Sequence, residues 1–203
     1  MEPLPSLEVI KLDETPLAFT LATLFEPSSV LSQKLVPQLH EKLKSSPSPP
    51  TSYGELIDLA IDQVRTWNVD LQAKFISGHP RIGETKNLSM LSAKEQGANT
   101  DRPTVQPTPP KVLARLAHLN AYYERCYPKL VYIVFVNGRS RAEIVCVLED
   151  HLGLAHSLSI DEPALETADP VDVGSQKWLD ELERAVRDVG LIAKSRLRAL
   201  YVA

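Results

Sequence analysis

No window of the 203-residue chain approaches ~20 uninterrupted apolar residues, so the sequence predicts no membrane span. Positive charge is not in excess either. The formal net charge is −4, which argues against a nucleic-acid partner, because such proteins present a basic face. Cysteine is scarce: Cys126 and Cys146 are the two, no C-x-x-C occurs, and a four-cysteine metal site is excluded. No metal is expected. The pair fits a reducing compartment, where such cysteines are usually small buried hydrophobes. The opening "MEPLPSLEVI" lacks a basic start followed by a long apolar run, and "RALYVA" is not a Ser-Lys-Leu type of tail. The expected location is the cytoplasm, with the peroxisome as the alternative.

Glycine is also sparse, 8 residues against 16 prolines, and the prolines cluster. "SSPSPPTS" (45–52), "TDRPTVQPTPP" (100–110) and the acidic "SIDEPALETADPVDVGS" (159–175) read as surface loops, since proline cannot continue a helix. Between them the apolar period is helical. It predicts helices over Leu17–Phe25, Val30–Leu43, Ser52–Trp67, Leu71–Ser77, Lys111–Tyr127, Glu143–Leu152 and Gln176–Val202. In the last of these Leu182, Val186, Val189, Ala193, Arg196 and Leu200 share one stripe. "LVYIVFVNG" (130–138) disagrees: it is β-branched and aromatic, and it ends in Asn-Gly. With no second such run to pair with, it reads as a buried extended segment, and a short helix is the rival.

Two short stretches carry candidate chemistry. In "FISGHPRIGE" (75–84), Pro80 pushes His79 out of the α region onto a stiff turn, and Gly83 lets the chain turn without steric cost. Such an imidazole suits acid–base work near neutral pH, although a His-Pro pair alone is more often a plain surface turn. In "SAKEQ" (92–96), Ser92 and Glu95 match a capping box, which needs no ligand. Gln96 and Asn99 add amides beside a helix N-terminus, which favours an anionic or carbonyl-rich ligand. Arg196 is odd in an apolar stripe. It either snorkels, pairs with a glutamate, or offers its guanidinium to a substrate carboxylate. Arg139 and Arg141 read as a solvated helix start, His118 as half-buried, and His40, His151 and His156 as surface residues.

Taken in order, "FISGHPRIGE", "LSAKEQ", "LNAYYERCYP", "YIVFVNGRSRAEI" and "IAKSRLRAL" resemble the 2-oxo-4-hydroxy-4-carboxy-5-ureidoimidazoline (OHCU) decarboxylase family, its fungal members most of all, over about residues 15–202. The resemblance implies an all-α helical bundle, one domain over 1–203 with loops of its own at 45–52, 100–110 and 154–175. It also implies a homodimer that needs no cofactor and takes an anionic ureidoimidazoline to (S)-allantoin, the last step of urate oxidation. By the same resemblance His79 and Glu95 are catalytic. Pro80, Ser92, Gln96 and Arg196 would bind substrate, as would the run Tyr132, Ile133, Val134, Phe135 and Val136. That run sits in "YPKLVYIVF", where the family has a compact Phe-Gly-Phe-Pro-Phe type of segment. The rival functions are a non-catalytic helical module of the same fold and a hydrolase of another cyclic ureide.

Overall fold

The computed structural model describes residues 3–84, 91, 108–157 and 159–201. It groups them into two compact units, Met1–His79 with Glu181–Ala203, and Pro80–Asp180. Every regular element among the described residues is a helix. No strand occurs among the described residues, and none of their helices is long and apolar enough to cross a membrane.

The first unit opens with α1 (Leu7–Leu12) and α2 (Glu14–Phe25), then a π-turn (Leu31–Leu35) running into α3 (Val36–Ser45), α4 (Tyr53–Arg65) and α5 (Val69–Ile76). Side-chain caps fix the starts. Asp13 accepts from Thr15 N–H at 2.8 Å, Ser52 from Glu55 N–H at 3.2 Å and Asn68 from Leu71 N–H at 2.9 Å. The expected helix over Val30–Leu43 is present as one unbroken run, with its Leu31–Leu35 turn in the π register. Pro37, in the first turn of α3, has no N–H to donate, and just before it the Val36 N–H reaches Leu31 O in the wider π register. Ser52 and Glu55 have the spacing of a capping box, but Glu55 completes only half of it: its carboxylate accepts from Thr51 N–H at 2.7 Å, which holds its pKa below the usual carboxylate range.

The core of this unit is Leu17, Leu21, Leu24, Leu35, Leu39, Leu56, Phe75 and Ile76, closed by the stripe of α8 (Gln176–Tyr201). Of that stripe Leu182, Val186, Val189, Ala193 and Arg196 are buried, as expected, and Arg198 is exposed. Gly190 lets α8 approach α4: a Cβ there would lie 3.1 Å from Ile61 Cγ1. Ion pairs flank the contact, Lys194 with Asp58 at 2.6 Å and Arg65 with Glu183 at 2.7 Å. Such exposed pairs contribute under about 1 kcal/mol each, whereas each buried leucine contributes about 1.5–3 kcal/mol. Apolar burial therefore holds α8 in place.

The second unit contains α6 (Pro110–Cys126), α7 (Arg141–Leu152) and a 3₁₀ turn (Leu165–Thr167) inside the acidic loop. Leu116, Leu119, Tyr123, Ile144 and Leu148 are buried here, and Arg115 pairs with Glu149 at 2.6 Å in the interior. Residues 130–136 are neither helix nor strand, and 130–133 are buried. Tyr132 packs edge-on to Tyr123 at 5.2 Å. Asn137 (φ 49°) and Gly138 (φ 79°) then make the expected Asn-Gly turn.

Three surface assignments are corrected. His40 is buried, its Nδ1 3.8 Å from Glu14, because it occupies the inward face of α3. His151 is half-buried with its ring 5.6 Å from that of Tyr132. Arg141 is buried, donating to Glu84 O at 3.2 Å and Thr108 Oγ1 at 3.3 Å. A long side chain at a helix start can turn back under the preceding loop, which the solvated reading overlooked.

Candidate active site

The turn that carries His79 is tighter than its sequence suggests. Gly78 N–H donates to Phe75 O at 3.2 Å and His79 N–H to Ile76 O at 3.0 Å, so α5 ends in a closed turn. Gly78 is required by contact: a Cβ there would meet Ser28 Cβ at 2.9 Å. Gly78→Ala should therefore push the turn off the loop after α2 and destabilise by about 1–3 kcal/mol, measurable by urea unfolding. An unchanged midpoint would show that the loop yields freely.

His79 is not on the surface. It is 7% exposed, with its ring edge-on to Phe75 at 5.8 Å. Neither ring nitrogen has a hydrogen-bond partner among the described residues. Burying polar atoms without partners is costly, and it is the pattern expected where a ligand or a proton is to be received.

Its neighbours are charged. Arg196, 2% exposed, places Nη2 2.8 Å from Oε1 of Glu26, itself 7% exposed, and donates from Nη1 to Leu24 O at 3.3 Å. Of the three readings open for Arg196, pairing with a glutamate is the one observed. Glu26 was missed. It caps the end of α2 with φ 77° and ψ 137°, a backbone region that costs a non-glycine residue about 1–3 kcal/mol. Its signal in the sequence was faint: a carboxylate between an apolar helix and a proline, "LATLFEP", in a chain with a stripe arginine needing a partner.

Burial, and next the positive charge of Arg196, push the His79 pKa down from 6.5 to about 4. Glu26 pulls the other way, as do the nearby carbonyls of Phe75 and Ile76, which do not reach hydrogen-bond geometry on the ring. At neutral pH the imidazole is therefore neutral and able to accept a proton. An anion bound beside it would raise its basicity by the same Coulombic rule. The unfolded chain takes up the proton first, near pH 6.5. The stability due to neutral His79 is complete above that pH and is lost as pH falls to about 4, by about 3 kcal/mol. Denaturant midpoints of the parent should fall away from those of His79→Leu as the pH drops through this window; parallel curves would place the titration elsewhere.

Glu95, Ser92 and Gln96 lie outside the described residues. Pro80 is half-buried in the second unit. So is the run 132–136, buried at Tyr132 and Ile133 and half-buried from Val134 to Val136. Of the expected site residues, His79 and Arg196 are the two that the first unit brings together, with Glu26 added.

A family model, described as OHCU decarboxylase, matches residues 11–166. The chain belongs to the OHCU decarboxylase family. No curated protein matches it. The matched stretch of the OHCU decarboxylase family member includes Glu26, His79, Glu95 and the 132–136 run, while Arg196 lies beyond it. The case for Arg196 accordingly rests on its geometry against Glu26 and His79.

Proposed function

We propose that the protein decarboxylates 2-oxo-4-hydroxy-4-carboxy-5-ureidoimidazoline to (S)-allantoin without a cofactor, with His79 as the acid–base residue. The observation that carries this is the buried, neutral His79 whose ring nitrogens meet no partner among the described residues, beside a buried arginine. In the reaction the bond to the carboxylate carbon breaks and CO₂ leaves. The electron pair enters the adjacent C=N or carbonyl group, and a proton then closes the product carbon. The substrate supplies its own electron sink. The protein's share is to orient the carboxylate, exclude water and move the proton on one face. Neutral His79 is suited to remove the hydroxyl proton, and the anionic substrate raises its basicity on binding.

Glu95 holds the tautomer of His79 in this reading and balances the imidazolium, as a carboxylate does for other catalytic histidines. Pro80, Ser92, Gln96, Arg196 and the 132–136 run bind the ureido, ring and carboxylate groups. The motif order supports a fungal-type member forming one domain over 1–203, working as a homodimer in the cytoplasm with a small anionic substrate as its partner.

The test is substrate freshly made from urate, followed for CO₂ release and circular dichroism of the product. CO₂ evolution with a growing (S)-allantoin signal is expected. Consumption without CO₂ would identify a hydrolase, and no consumption a non-catalytic module. Glu95→Gln should keep its melting temperature and lose about 10²-fold in turnover, as the amide swap does in a triad. An active variant would reduce "SAKEQ" to a helix start.

A further inference from the structure

The second unit gathers three metal-ligating side chains away from His79 in the sequence. Cys146 and Glu149 stand about one turn apart on one face of α7. The helix then stops at Gly153, whose φ of 70° reverses the chain, and Leu154 N–H returns to Glu149 O at 2.9 Å. Ser157 N–H donates to Glu149 Oε1 at 3.2 Å, which draws the following segment back over the helix. As a result one ligand atom each from Cys146, Glu149 and His156 lie within 4.8 Å of one another.

Each donor is prepared in a different way. Arg115 holds Glu149 from the interior, its Nε and Nη2 both on Oε1 at 2.9 and 2.6 Å, and Oε2 has no hydrogen bond among the described residues. His156 Nε2 is hydrogen-bonded to Asp150 Oδ1 at 2.8 Å, which leaves Nδ1 for a metal, and a ring flip exchanges the two nitrogens. A carboxylate on the second ring nitrogen is the usual companion of a metal-bound histidine. Cys146 is a half-buried free thiol. All three residues line a cavity of about 390 Å³ whose other walls include Val112, Ala142 and Val145.

The geometry points to a zinc-type divalent cation site formed by Cys146 Sγ, Glu149 Oε2 and a ring nitrogen of His156, with its fourth position facing this cavity. Bond lengths of about 2.0–2.3 Å set tetrahedral donors about 3.3–3.8 Å apart, so side-chain shifts of roughly 1 Å close the present spacing. A sulfur, a nitrogen and one oxygen select a borderline ion over magnesium or calcium, which want several oxygens. The charges also close: thiolate, Glu149 and Asp150 offset a dication together with Arg115. A four-cysteine count cannot detect such a mixed set. The site does not depend on the decarboxylase reading.

Chelator-stripped protein titrated with Co(II) should bind one equivalent, with a sulfur-to-cobalt charge-transfer band and visible bands of tetrahedral type, and Zn(II) should displace it. Cys146→Ser should abolish the charge-transfer band. His156→Asn, at an exposed position, should weaken zinc binding at least tenfold. Asp150→Asn, which removes no ligand, should weaken it about 10–100-fold. Cys126→Ser should change nothing. Far-ultraviolet dichroism confirms that each variant is folded. Absence of stoichiometric binding, or a band that survives Cys146→Ser or disappears with Cys126→Ser, overturns the site.

Discussion

His79→Leu is expected to lose about 10²–10⁴-fold in turnover while melting at or above the parent temperature. The two halves of this result have separate causes. Turnover falls because the proton acceptor is gone, and no other imidazole is found on the turn that ends α5. Stability holds because the parent residue buries two ring nitrogens with no partner among the described residues. Exchanging an unsatisfied buried polar group for an apolar one of similar size removes a desolvation cost and keeps the packing against Phe75. Arg196 and Glu26 keep each other, so neither of these two charges loses its counterpart. Calorimetry on the variant beside a CO₂-release assay measures both quantities. A variant that melts well below the parent would show that the His79 ring is held by a structural partner. Near-parental turnover would remove His79 from the chemistry.

The helices were legible because their period repeats over many residues and their ends carry local chemistry. Asp13, Ser52, Asn68 and Ser140 cap where they stand. The 130–138 segment was legible in its β-branched residues and its Asn-Gly turn, and the missing partner strand ruled out a sheet. The site was legible only in part. Pro80 announces the backbone of His79, which is a local property, but not its burial, which depends on packing at the end of α5. The apolar stripe marked Arg196 as out of place, and an inward guanidinium was among its readings. Nothing local names its partner, because Glu26 is 170 positions away and the pair forms only once α2 and α8 share a core. His40, Arg141 and His151 failed for a related reason: residue type predicts exposure on average, whereas a particular face decides it.

Glu26→Leu is expected to destabilise the protein by about 3–5 kcal/mol, the usual consequence of removing one charge of a buried pair. For a chain of this size that is roughly 10 °C in melting temperature. Arg196→Met should cost a similar amount, now because Glu26 loses the guanidinium that neutralises it. Met restores apolar volume on the stripe but leaves the carboxylate without its guanidinium, and Leu24 O without its donor. The double variant Glu26→Leu with Arg196→Met should recover most of the loss, since a buried ion pair is frequently no better than matched apolar groups. The singles would then sum to well over the double, a coupling of several kcal/mol by the mutant cycle. The same cycle reports on His79. Arg196 holds its pKa down and Glu26 holds it up. Removing the arginine should therefore move the acid limb of kcat/KM to higher pH, and removing the glutamate should move it lower. A stability defect alone would shift neither limb. If Arg196→Met instead raises KM sharply while the melting temperature holds, Arg196 serves the substrate carboxylate first and Glu26 only between turnovers. If stability falls and both limbs stay in place, the pair is a structural clamp on the end of α2 and His79 titrates independently of it.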